Sequence, residues 1–472
     1  MNVSDRLARF LAGTETVPDD ALEAAKRAVL DTLGVALAGS REESARIAAD
    51  RAREHAGREE STVLGQGFRA PVGEAAFVNG IAAHALDFDD VSLPMRGHPS
   101  APLLPAVLAL GEKTGASGRE LLAAFVLGFE VEARLGRAIG ESHYAAGWHA
   151  TSTFGTLGGA AASARLLRLD AAKTQAALGM AASLASGLQA NFGSMTKHLH
   201  VGHAARSGLE AAELASRGFT ADAGAVHAFL RLMAAGVEPD LSPFDSLGDP
   251  YEIVSSGVAV KLYPCCYATH RALDAALELR ERRDIDPAAV QRVDVEVSGG
   301  GLLPLRDSPP ATGLEGKFSM EYCLAAALAD GRVTLDTFSD EAVTRPAVRD
   351  LMAKVMATEG AEHGDFPIGG YADLRIALRD GAEHRLRVDT PRGDPSRPLS
   401  WDDLAAKFRD CAALALSSDG VERVLAMVER LEDLPNVSEL GDALLLPARG
   451  EPARPERSRR VEPRGHENNP RR

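Results

Sequence analysis

A mostly α protein with a smaller α+β part is predicted, and three observations predict it. Residues 1–235 are rich in Ala and Gly, with apolar residues at helical spacing. Beyond about residue 285 the pattern changes to strand-like alternation, and over 400–432 it returns to the helical period. The expected organisation is a helical domain over 1–264, an α+β domain over 265–397, a helical return over 398–446 and a disordered tail over 447–472. Aromatics are only 5% of the 472 residues, so small side chains must fill much of the interior. Small side chains let helix axes approach closely.

Residues 20–38 read as a helix capped by Asp19 or Asp20, with Leu22, Ala25, Val29, Leu33 and Val35 along one stripe. A more exposed helix is expected over 41–57. The Ala-rich stretch 73–87 runs into His84, Asp87, Asp89 and Asp90, and the polar loop VSLPMRGHPS follows. LLPAVLALGEKTG, ELLAAFVLGFEVEARLGRAIG and TFGTLGGAAASARLLRL then read as buried helices, and 170–216 continues in the same style. Their glycines suit tight packing despite the propensity cost. In VQRVDVEVS, Val293, Val295 and Val297 share one face of a strand. ADLRIALRDG and EHRLRVDTP are two more alternating runs, joined by the hairpin signal Asp380-Gly381. Helical segments are expected between them, at 317–330 and about 339–357. Ser400, with Asp402 and Asp403 behind it, is the expected cap of the returning helix. The Pro- and Arg-rich end of the chain has almost no apolar residue with which to build a core.

Composition narrows the function. A net charge of −15 argues against nucleic-acid binding, which needs a basic surface. It leaves room for a local cationic pocket that takes an anionic substrate. The four cysteines form no CxxC pair and match no zinc or iron–sulfur spacing. No stretch of about 18 apolar residues predicts a membrane span. The N-terminal residues lack a signal-peptide pattern, so a cytoplasmic location is expected. No dinucleotide fingerprint, P-loop or GxSxG elbow is present.

Five polar clusters interrupt the apolar helices, where unpaired ionisable groups are costly. The first holds His84, Asp87, Asp89, Asp90 and His98, a set suited either to a divalent cation or to a wall in which Asp87 orients a histidine. The second is Trp148-His149, just before a helix start whose amides attract carboxylates. The third, SMTKHLHVGHAARSG, carries Lys197, His198, His200, His203 and Arg206 within ten residues, a density of cations that suits a polycarboxylate. The fourth, VKLYPCCYATHRALD, brings Lys261, Cys265, Cys266, His270 and Arg271; a thiol among cations at a helix start can act as a base. The fifth, GKFSMEYCLAAAL, places Tyr322 on an apolar helix, as an acid or as a core residue. Proton removal next to a carboxylate builds charge that cations must hold, and it needs a base and an acid nearby.

At these clusters the sequence resembles the MmgE/PrpD family. The matching stretches are HALDFDD with GHPSAPLLPAVLAL, GWHATSTFGTLGGAAASARLL, GSMTKHLHVGHAARSGLEAAELASRGFT, VKLYPCCYATH, KFSMEYCLAAAL and PRGDPSRPLSWDDLAAKFRD, in family order over about residues 5–445. The resemblance implies a large helical domain with an α+β lid, a homodimer, no cofactor or metal, and a site between the two domains. Carried over by motif, the pocket is Asp87, His98, His149, Lys197, Lys261, Cys266, His270 and Tyr322, to which the cationic cluster adds His200 and Arg206. The first expectation is a dehydratase of a small hydroxy-polycarboxylate of the 2-methylcitrate type. In it His149 or Lys197 takes the α-proton, Lys261 and His270 bind carboxylates, and Tyr322 or His98 protonates the leaving hydroxyl. The alternative is an epimerase of an imino- or amino-dicarboxylate, of the iminodisuccinate type, with Lys197 and Cys266 as its two bases. A cis-aconitate decarboxylase and a non-catalytic binding protein stand behind these. Relative to the decarboxylase pattern, Val91 replaces a threonine and Cys266 replaces a histidine.

Overall fold

The computed structural model describes residues 2–55, 57–364 and 369–445. The tail expected from residue 447 lies outside the described residues. The helical body has a core drawn from residues 3–253 and again from 404–444, so the end of the chain packs back onto its beginning. Its main helices are α1 (Asp19–Gly39), α2 (Val72–His84), α3 (Ser100–Thr114), α4 (Gly118–Ile139), α5 (Ala150–Leu166) and α6 (Met195–Ser216). α6 packs on both α5 and α2, and that arrangement builds the site.

Glycine makes this packing possible. A Cβ on Gly202 of α6 would lie 2.4 Å from the Phe77 carbonyl oxygen of α2, and one on Gly80 would lie 2.8 Å from the Gly202 Cα. The two backbones therefore touch, which no larger residue allows. This crossing lies a few residues before the end of α2 and one turn after Lys197, so it draws the polar end of α2 beside the start of α6.

A second core, from Tyr263 to Ile376, holds α7 (His270–Arg283) and α8 (Met320–Asp330) against a four-stranded sheet. With the short hairpin strands β1 (Ser61–Val63) and β2 (Phe68–Ala70) counted first, the sheet strands are β3 (Val290–Gly299), β4 (Val355–His363), β5 (Ala372–Leu378) and β6 (Glu383–Val388), in the order β4-β3-β5-β6. β3 runs parallel to β4 and antiparallel to β5, and β5 and β6 form the expected hairpin. Val293, Val295 and Val297 are buried on one face as expected. The helical returns α9 (Trp401–Ala412) and α10 (Ser418–Glu429) complete the body, with Ser400 and Asp403 forming a reciprocal cap on α9.

Two expectations need correction. The helix expected to run to residue 357 stops at Met352, and Val355–His363 is strand β4 instead. β4 is a largely exposed edge strand in which Val355 and Ala357 turn to the second core but the residues beyond them keep no regular alternation, so its conformation is imposed by pairing with β3. The helical reading of 1–235 also passed over the β1–β2 hairpin, whose strands are only three residues each.

Candidate active site

The site lies where the end of α2, the starts of α5 and α6, and the segments around Cys266 and Phe318 converge. The cavity is lined by Asp87, Arg96, His98, Tyr144, His149, Thr151, Phe192, Lys197, Cys266 and Phe318, among others. Asp87 sits just beyond the end of α2 with φ 51°, a left-handed conformation that Asp tolerates better than most residues. Its carboxylate meets two lysines. Lys197 Nζ is 2.6 Å from Oδ1, and Lys261 Nζ is 3.3 Å from Oδ2 while donating at 2.8 Å to the Asp87 carbonyl. Burial alone would raise the Asp87 pKa, but Lys197 and Lys261 outweigh it and hold the carboxyl well below its usual range. Lys261 is wholly buried; burial opposes its charge, and Asp87 and Asp89 more than restore it. Phe192 and Phe318 flank Lys197, their ring centres 5.3 and 5.2 Å from Nζ.

Behind Asp87, Asp89 is shared by two histidines. His84 Nδ1 lies 2.7 Å and His98 Nδ1 3.3 Å from Asp89 Oδ2, and His98 Nδ1 also faces the Asp90 carbonyl at 2.9 Å. These oxygens only accept, so Nδ1 of each ring carries the proton and Nε2 is bare. Asp89 is thus the carboxylate that hydrogen-bonds the histidines, while Asp87, whose Oδ1 stands 3.7 Å from His98 Nε2, pairs with the lysines. Burial pushes the His98 pKa down to about 3 and that of His84 well below the usual value, so both rings are neutral. His149 occupies the cap position of α5, with its carbonyl accepting from the Ser152 and Thr153 amides. Those two amides are therefore not offered to a substrate carboxylate.

The structure gathers six of the expected residues at this centre: Asp87, His98, His149, Lys197 and Cys266 line the cavity, and Lys261 braces Asp87 from behind. His200 stands behind His149, with 3.1 Å between their Nδ1 atoms. Three candidates lie elsewhere. Tyr322 is fully buried in the second core, and its hydroxyl donates to the Thr337 carbonyl. His270 is enclosed between the rings of Tyr263 and Tyr267. Arg206 is on the outer side of α6, 3.4 Å from Glu74 and over the Phe77 ring. Each took its place in the reading from its position within a motif, and a motif does not fix which face of a helix turns inward. The thiol expectation is also reversed: burial and the Asp87 charge push Cys266 up to about 12.

Sequence reading passed over Lys317. It is 5% exposed, donates to the Leu86 and Pro264 carbonyls at 2.6 and 2.8 Å, and is pushed by burial down to about 8. The signal was a lone lysine opening the apolar run KFSMEYC. His84, Asp87, Asp89 and His98 also offer ligand atoms within 4.8 Å of one another, a possible cation cluster. The fit is poor, because two lysines engage Asp87 and Asp89 receives both Nδ1 protons.

Comparison with known sequences gives the same picture along most of the chain. Residues 5–239 match the MmgE/PrpD N-terminal domain and residues 263–433 the MmgE/PrpD C-terminal domain. The chain is 35% identical over 448 residues to the cis-aconitate decarboxylase of Homo sapiens, covering 91% of each protein. It is 34% identical to that of Mus musculus, over 93% of this chain and 92% of the relative. The cis-aconitate decarboxylase of Aspergillus terreus is 29% identical over 92% of this chain and 94% of its own length. Among the described residues no helix is long and apolar enough to cross a membrane.

Proposed function

The chain belongs to the MmgE/PrpD family, and from that premise we propose that it is a lyase that removes CO2 from a small unsaturated polycarboxylate of the cis-aconitate type. The observation that carries the reading is the pairing of Lys197 and Lys261 on one buried carboxylate. Departure of CO2 leaves an electron pair that conjugation moves onto a remaining carboxylate. Lys197, fixed in the cavity wall and braced through Asp87 by Lys261 behind it, holds that charge without reorganising, and such a group is worth about 10²–10³ in rate. A proton must then be added at carbon, and the His149 ring stands in the cavity wall with an unpartnered Nε2 for that exchange. The names of the relatives reorder the expectations: decarboxylation moves ahead of 2-methylcitrate-type dehydration.

One observation favours dehydration as the second reading. His98 presents a bare Nε2, which is what abstraction of an α-proton needs. The epimerase reading has less support, because its second base would be a thiol that burial keeps protonated.

The test is proton NMR with citrate-, aconitate-, malate- and aspartate-like acids in D2O. Release of CO2 with one deuterium incorporated at carbon per turnover is expected. A new alkene from a hydroxy acid without CO2 would replace this reading with dehydration. Deuterium exchange without net conversion would replace it with epimerisation.

A further inference from the structure

Decarboxylation of a carboxylate consumes one proton per turnover, since R–COO⁻ plus H⁺ gives R–H plus CO2. Dehydration returns the proton that it takes. A decarboxylating site therefore needs a route for protons from water, and the His149–His200 pair has the geometry of one.

The two cavity histidines differ in what stands behind them. His98 Nδ1 faces only acceptors, so its tautomer is locked. His149 Nδ1 faces another imidazole Nδ1, that of His200, at 3.1 Å. A contact between two such nitrogens requires one ring to donate and the other to accept, and either assignment satisfies it. His149 Nε2 is buried and has no partner, while the ring lines the cavity. His149 is pinned by its amide, which donates to the Gly187 carbonyl at 3.0 Å, and His200 by its carbonyl, which accepts from Ser152 Oγ at 3.0 Å. His200 is 9% exposed, and one turn further along α6 stands the partly exposed His203. Burial, with Lys197 beside them, keeps both rings of the pair neutral, the pKa of His200 falling to about 4.

We propose that His200 is a positioning residue for the protonation step: it sets the tautomer of His149 and replaces, at Nδ1, the proton that His149 gives up to carbon from Nε2. The step balances. The C–C bond to the departing carboxylate breaks and its electron pair moves through the conjugated system. A C–H bond forms to the hydrogen leaving His149 Nε2, His149 Nδ1 takes the proton of His200 Nδ1, and His200 Nε2 takes one from water. Neither ring becomes an imidazolium if the transfers are concerted, which suits a site where Lys197 and burial oppose that charge. The inference rests on the decarboxylase reading.

The experiment compares wild-type enzyme with His200→Gln and His200→Phe on whichever acid the wild type decarboxylates. The relay predicts a fall in kcat of about tenfold or more, KM within about twofold, a larger solvent deuterium isotope effect on kcat, and partial rescue by free imidazole. A kcat within twofold of wild type would overturn it. So would a loss without rescue and without a change in isotope effect, which is what a merely structural role gives. Histidine ring ¹⁵N NMR of the resting wild-type protein reads the pair without turnover. A coupling between the two Nδ1 atoms, absent from His200→Gln, is expected, and its absence in the wild type would overturn the relay. If the wild type releases no CO2 from any acid, the decarboxylase reading fails and the proton-supply role of His200 fails with it, while the NMR separately decides whether the shared-proton pair exists.

Discussion

Lys197 Nζ lies 2.6 Å from Asp87 Oδ1, and both side chains are only 4% exposed. Breaking a buried pair by removing one partner usually costs about 3–5 kcal/mol, because an uncompensated charge is left behind. Here the two partners are not equivalent. Lys197→Ala leaves Asp87 still facing Lys261, whereas Asp87→Asn leaves two lysines without their counter-ion. Lys197→Ala is therefore expected to fold with a modest loss of Tm and to lose about 10²–10³ in kcat/KM. Asp87→Asn is expected to lose more Tm. Calorimetry and steady-state kinetics check both, and an unchanged rate in Lys197→Ala would remove that lysine from the chemistry.

Much of this arrangement was legible in the sequence, and the part that was not has a physical cause. The helical body and the β5–β6 hairpin follow from apolar period and turn chemistry, which are local signals. Strand β4 does not, since its conformation comes from its neighbour. At the site, Asp87, Lys197 and Lys261 stood out as charges inside apolar runs. The contact of Lys197 with Asp87 depends on the Gly80–Gly202 crossing, and that of Lys261 on a segment 174 residues away, neither of which any spacing within one helix encodes. Tyr322 and His270 sit in motifs as prominent as that of Lys197, yet they turn into the second core. The Asp89 bridge between His84 and His98 was hidden by Asp87, two residues earlier and equally acidic.

Cys266 lines the cavity with its thiol pushed up to about 12 by burial and by Asp87. A thiol held protonated at neutral pH is a poor base and a slow nucleophile. Cys266→Ser is expected to keep activity within about threefold, and the wild-type residue to resist iodoacetamide at pH 7. Loss of all substrate deuterium exchange in Cys266→Ser would instead restore the two-base epimerase.

Tyr322 packs its ring beside Phe338 and donates its hydroxyl to the Thr337 carbonyl, inside the second core. Tyr322→Phe should leave kcat unchanged. Stranding that buried carbonyl should cost about 1–3 kcal/mol of stability. A large kcat effect at unchanged Tm would return this hydroxyl to the list of proton donors.

The ligand atoms of His84, Asp87, Asp89 and His98 lie within 4.8 Å of one another, so a divalent ion is a fair question. An incoming dication would have to displace or repel Lys197 and Lys261, both already at Asp87. Activity is expected to survive dialysis against EDTA unchanged. Loss of activity that returns on adding one metal would show that the lysines yield to an ion.

Asp90 makes a pH prediction whose sign is opposite to that of the histidines. It is wholly buried, its carboxylate accepts from the Ser100 amide and hydroxyl, and burial with the Asp31 and Asp89 charges raises its pKa from 3.8 to about 8. At pH 7 the folded state keeps this proton and the unfolded state does not. The folded state thus binds more protons, so stability from this group is full below about pH 4 and is lost as pH rises towards 8. A shift of that size corresponds to several kcal/mol as an order of magnitude, at about 1.4 kcal/mol per pKa unit. His98, lowered to about 3, acts the other way: its contribution is full above about 6.5 and is lost as pH falls towards 3. Together they place maximum stability between the two slopes. Asp90→Asn keeps an oxygen for Ser100 and cannot titrate, so chemical denaturation across pH 5–9 should show a flatter alkaline side than wild type, and a steeper rise between pH 5 and 6.5, where the Asp90 slope no longer opposes that of His98. An identical alkaline slope in the variant would mean that Asp90 is ionised in the folded protein, with its charge held by the Ser100 hydrogen bonds.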